Sequence, residues 1–272
     1  MKMPLVKQMK KSQTQIRDGI KKKIIIEYYE YHPLLESAMT HFTNILKTYI
    51  DQKKGQSPKL TEAEYYIRDS FQTLNTLSKR QRQVNEAIKF LEKRPQENLL
   101  KRYQMSHNDY FDYHFNSLLS YYVSFPECIL QTINTILNLG INEKHVKFES
   151  MESHDWIVRF DLKKDIKQLK QLRNKLSADR NKAVHQGKPK DIESLLHYFS
   201  AEFLAEGNTH EGKIKDIIDD HKLTRRKLFE WKMKETLDPI KNDFNEMDII
   251  CDDVLKKLIP IFDLWLNYYK IE

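Results

Sequence analysis

Apolar residues recur along this chain at spacings of three and four, the period of a helix with one buried face. From Pro33 onward Leu34, Leu35, Ala38, Phe42, Ile45, Leu46 and Tyr49 make such a stripe, which ends near Lys53-Lys54-Gly55 ahead of a Ser57-Pro58 loop. Thr61 with Glu64 three residues later is a capping-box pattern. It predicts a helix from Glu62 to about Leu77, with a further helical stretch from Val84 to Leu91 stopping before Pro95. The longest apolar stripe runs from Ser106 to Leu139; Pro126 is expected to bend it and Gly140 to terminate it. Between Val146 and Phe160 the period changes to alternation over short runs, Trp156 to Phe160 above all, which predicts a small β-hairpin at 146–160.

A further stripe holds Leu162, Ile166, Leu169, Arg173, Leu176, Arg180 and Ala183 on one face of a helix from about Asp161 to His185, closed by Gly187 and Pro189. Two of its seven members are arginines. A helix is expected over about 190–205, a strongly charged one over 211–235, and a last one from about Asn245 to Tyr269, kinked at Pro260. His32-Pro33 breaks a helix that starts between Gln15 and Lys23. With only six glycines in 272 residues, a turn-rich β fold is disfavoured. The expected class is all-α, a bundle of four principal helices with additional ones.

The formal charge of +7 equals that of residues 1–23 alone, and the neutral sum of the rest hides a second basic block. Residues 1–23 carry eight Lys and Arg against Asp18 and read as a basic arm, while residues 24–272 form a single helical domain. Residues 163–190 carry ten Lys and Arg against Asp165 and Asp179, a local +8 centred on the arginine-bearing helix. Such a block suits a polyanion, or is a solvated lysine-rich face. The two cysteines lie far apart without His or Cys companions at metal-ligand spacing, so neither a disulfide framework nor a metal site is expected. No signal-peptide segment or membrane-spanning run is visible, and a cytoplasmic location is expected.

An arginine inside an apolar stripe needs an anion, because a buried charge left alone costs roughly 3–5 kcal/mol. Arg180-Asn181-Lys182-Ala183-Val184-His185 supplies the context. Arg followed four to six residues later by His is commonplace, and Arg102/His107 also satisfies it; the stricter Arg-Asn-x-x-x-His has a chance expectation of roughly a few hundredths in this composition. On an ideal helix Asn181 and His185 face alike, with Arg180 on the adjoining edge. A guanidinium there can hold a phosphodiester and its transition-state charge, and a histidine can take a proton from a ribose 2′-hydroxyl or return one to the leaving oxygen. The other reading of Arg180 is an internal ion pair with a facing carboxylate such as Asp109 or Asp112.

That motif, on the third major helix of an expected bundle, resembles the signature of the HEPN superfamily. The resemblance covers about residues 33–52, 106–139, 161–186 and 245–270, with inserted helices at about 61–104 and 190–235. It implies a metal-independent endoribonuclease without a cofactor, in a defence or toxin role. RNA would be cleaved by 2′-hydroxyl attack at a composite site of a homodimer, and a cognate inhibitor protein is a possible further partner. The catalytic residues would be Arg180, Asn181 and His185, with Arg173, Lys175, Lys182 and Lys188 contacting RNA. The alternative is a non-catalytic RNA-binding protein or a helical scaffold for other proteins.

Overall fold

The computed structural model describes residues 32–52, 60–93, 95, 97–186 and 213–270. The basic arm, the helix expected to start between Gln15 and Lys23, and the one over 190–205 lie outside those residues. What is described is all-helical: α1 Pro33–Gln52, α2 Glu62–Glu92, α3 Glu97–Arg102, α4 His107–Ile136, α5 Phe148–Glu152, α6 Asp155–Arg159, α7 Lys163–Gln186 and α8 Lys213–Tyr268.

Local chemistry accounts for several helix starts. The Thr61 amide donates to Glu64 Oε2 (2.7 Å) while the Glu64 amide donates to Thr61 Oγ1 (3.3 Å), the reciprocal cap anticipated for α2. Ser106 and Asp109 repeat the device on α4, with the Ser106 amide donating to Asp109 Oδ2 at 3.0 Å and the Asp109 amide to Ser106 Oγ at 3.1 Å. His32 caps α1 by accepting the Leu34 amide on Nδ1 (3.2 Å).

Three expectations need correction. The stretches over 62–77 and 84–91 are one helix, because Ser78 and Gln81 are buried in the gap between the two apolar runs. Gln81 is held there by its amide donating to Asp248 Oδ1 at 2.6 Å. The last two helices are likewise one 56-residue element with Pro239 and Pro260 inside it, since Leu237, Ile240 and Phe244 continue the buried stripe across the supposed break. The hairpin at 146–160 is absent: a 3-10 turn at Glu143–His145 leads into α5 and α6. Phe148 and Met151 bury as an i, i+3 pair, and Ser150 Oγ and His154 Nδ1 accept the amides of Lys147 (3.0 Å) and Trp156 (3.3 Å). The side chains alternate, but helical caps hold the backbone. At the end of α4 it is Asn138, with φ of +50°, that takes the left-handed cap position, and Gly140 follows in the loop with φ of +68°. Pro126 lies within α4 without ending it.

One contiguous apolar core joins α1, α2, α4, α7 and α8. Cross-helix bonds set their directions. Tyr66 Oη donates to the Ile136 carbonyl (3.0 Å) and Tyr110 Oη to that of Phe90 (3.4 Å), so α2 and α4 are antiparallel. Gln81–Asp248 and the Glu92–Lys241 ion pair make α8 antiparallel to α2. Lys175–Asp243 (2.5 Å) and Lys257–Asp165 (2.7 Å) make it antiparallel to α7. Hence α7 runs against α4, and the two are fastened by Tyr122 Oη donating to the Leu172 carbonyl at 3.1 Å.

Candidate functional site

The α7 stripe is fully buried at Leu162, Ile166 and Leu169, then emerges: Leu172 is buried, while Arg173, Leu176 and Arg180 are half-buried. The helix thus leaves the core as its arginines begin, so each guanidinium keeps a path to solvent. Their surroundings differ.

Arg173 Nη2 reaches Glu127 Oε1 of α4 at 2.6 Å, and its guanidinium lies 5.8 Å from the Phe148 ring centroid. Lys175 pairs with Asp243 of α8, and Lys170 with Glu149 (2.9 Å) and Glu152 (3.7 Å) of α5. The basic block of α7 is therefore partly neutralised by acids brought in from three other helices. Distant acids of this kind carry no local sequence signal. Two residues expected to contact RNA, Arg173 and Lys175, are engaged inside the protein.

Arg180 is not. Its Nη1 donates to Asn181 Oδ1 at 3.0 Å, its buried Nε, like that of Arg173, has no acceptor, and it has no carboxylate partner among the described residues. Asp109 is committed to the Ser106 cap, whose side-chain and backbone hydrogen bonds hold its carboxyl below the ordinary range. Asn181 is exposed. His185 and Lys182 belong to the last turns of α7, and their side chains lie outside the described residues, as does Lys188 altogether.

Helix directions place Arg180 in the molecule. It lies eight residues, about 12 Å, beyond the Leu172–Tyr122 fastening, and on the antiparallel α4 the same rise leads back to His114. At that end the His114 ring stacks on Phe90 (centroids 4.6 Å apart, planes 20° apart) and meets the edges of Tyr110 (4.4 Å) and Tyr113 (5.2 Å). Burial lowers the His114 pKa, so the ring is neutral at neutral pH and serves as an aromatic surface. The sequence shows the aromatic run but not that Phe90, on another helix, completes it.

The opposite end holds a cleft of about 760 Å³ between the start of α2 and the end of α4. Its walls include Tyr65, Tyr66, Gln72, Asn138 and Tyr269. Glu62, Asp69 and Glu143 outnumber Arg68, whose Nη2 is tied to Asp69 at 2.7 Å, so the cleft repels a phosphate. Among the described residues no three His, Cys, Asp or Glu side chains gather as a metal site, and no helix is long and apolar enough to cross a membrane. The chain matches no family model, no curated protein and no solved structure.

Proposed function

We propose that this chain is a metal-independent endoribonuclease of HEPN type, acting at a site that a homodimer composes from two copies of Arg180, Asn181 and His185. The observation that carries the reading is Arg180: a half-buried guanidinium which, unlike that of Arg173, has no carboxylate partner among the described residues. Such a group binds a phosphodiester with little competition from within the protein. Arg180 stabilises the charge of the pentacoordinate phosphorane, and Asn181 orients the guanidinium through its side-chain oxygen. One His185 takes the 2′-hydroxyl proton as that oxygen attacks phosphorus. The second His185 of the composite site, in its protonated form, gives its proton to the departing 5′-oxygen, leaving a 2′,3′-cyclic phosphate. A defence or toxin role with a cognate inhibitor protein belongs to the same proposal.

Labelled RNA incubated in EDTA tests it. Arg180→Ala and His185→Ala are each expected to slow cleavage by about 10²–10⁴-fold while leaving the fold intact by circular dichroism. Equal cleavage by wild type and both variants overturns the assignment. The alternative is a non-catalytic RNA-binding protein, whose cationic strip the pairing of Arg173 and Lys175 narrows; its signature is salt-sensitive binding without scission.

A further inference from the structure

A corner remote from the Arg180 motif in sequence combines exposed aromatic rings with cations that meet no carboxylate. Phe90 closes α2, α3 turns the chain, and Tyr113 and His114 lie in the first turns of α4. Phe90 is 47% exposed, while Tyr103 and Tyr113 are each 63% exposed. Phe90 and Tyr113 are joined through the His114 ring, and Tyr103 stands three residues before the Ser106 cap of the same helix; exposed rings that share one end of a bundle mark a binding face. Lys93, Lys101 and Arg102 are exposed beside them, and no carboxylate pairs with them among the described residues. The Arg102 guanidinium sits 5.9 Å from the Tyr103 ring centroid. Two acids of the corner are already used, Glu92 by Lys241 and Asp109 by the Ser106 cap.

We infer that this corner is a stacking platform for single-stranded RNA, with bases on the Tyr103, Tyr113 and Phe90–His114 rings and backbone phosphates on Lys93, Lys101 and Arg102. Flat rings alternating with cations are what an unpaired strand requires, since each base offers a π-face at the spacing of its charged phosphates. A duplex hides those faces, and an acidic peptide has no use for the rings. The Phe90–His114 stack fixes one ring pair in place before any ligand arrives, which lowers the entropy cost of binding. The corner lies at the Arg180 end of the bundle, so a strand held here passes toward the motif. The platform itself needs no catalysis at Arg180 and goes beyond the nuclease reading.

Fluorescence anisotropy with an unstructured oligonucleotide of about 12 nucleotides, as RNA and as DNA of the same sequence, tests the platform in the full chain. DNA has no 2′-hydroxyl to attack, so that arm reads binding apart from cleavage. Tyr103→Ala and Tyr113→Ala, both at exposed positions, are each expected to weaken binding of either strand roughly tenfold. Lys101→Gln with Arg102→Gln is expected to reduce the salt dependence of log K by about 1.4, two phosphate contacts at single-strand slope. Unchanged affinity in the two tyrosine variants, tighter binding of a duplex than of the single strand, or displacement by poly-glutamate that ignores the tyrosines overturns the platform. Ring-dependent binding without Arg180-dependent cleavage counts against the nuclease reading alone.

Discussion

Arg180 and Arg173 occupy equivalent positions one heptad apart on the same stripe, and the protein treats them differently. Arg173 finds Glu127 across the α4 interface, whereas Arg180, one heptad further from the core, has only Asn181. The sequence identifies both as charges in an apolar face; which one is satisfied depends on a residue 46 positions away in the chain. Another side chain reports on the fold through pH. His32 is buried, and burial, partly opposed by Asp252 at 3.8 Å and assisted by Lys256, holds its pKa below the usual value of 6.5. Its neutral Nδ1 is the acceptor that caps α1. The contribution is therefore complete above pH 6.5 and lost as the pH falls through the lowered folded value. Thermal melts at pH 7.5 and pH 5 are expected to show destabilisation on acidification. In His32→Asn, whose side-chain oxygen accepts the Leu34 amide without titrating, that loss is expected to shrink; an identical pH dependence contradicts the assignment.

At the scale of elements, the fit between sequence and structure follows the continuity of each stripe. α1 and α4 are legible because their apolar stripes run without a gap, the buried Thr132 and Asn134 of α4 lying between apolar neighbours, and because Pro33 and Ser106 stand where the stripes begin. α2 was read as two pieces because Gln81 is buried, and its partner Asp248 lies 167 residues away on α8. The same blindness to distant partners hid the neutralisation of α7. Over 146–160 the side chains alternate as in a strand, while the turns are set by Ser150 and His154, polar residues that add nothing to the apolar period. The α4–α7 contact that positions the motif offers its own test. Tyr122 is fully buried, and its hydroxyl bond to the Leu172 carbonyl crosses the two helices. Tyr122→Phe keeps the ring and is expected to cost about 1 kcal/mol, or about 2–4 °C in melting temperature. A melting temperature equal to wild type refutes that role for the bond.

On the scale of the whole molecule, the antiparallel helices hold two patches of opposite character at the two ends of the bundle. Glu62, Asp69 and Glu143 border the cleft at one end, and Lys93, Lys101, Arg102 and Arg180 lie at the other. The basic block on α7, apparent as +8 in sequence, counts for less than it promises because Lys170, Arg173 and Lys175 meet acids from α4, α5 and α8. The cations that remain without carboxylate partners matter more than the total. If RNA is the ligand, association measured by stopped flow is expected to slow markedly between about 50 and 200 mM salt, with dissociation changing less. An association rate indifferent to salt in that range rules out long-range attraction.

Placing these two patches at opposite ends also bears on what happens before contact. A strand that first meets the acidic cleft is pushed off by Glu62, Asp69 and Glu143, whereas one that first meets the aromatic corner is held by Lys93, Lys101 and Arg102. Exposed Lys144, Lys163 and Lys164 lie toward the cleft end as well, so the bundle carries local patches and not a molecular dipole. A strand would therefore find the corner by repeated touch and release, and not by turning the whole protein from afar.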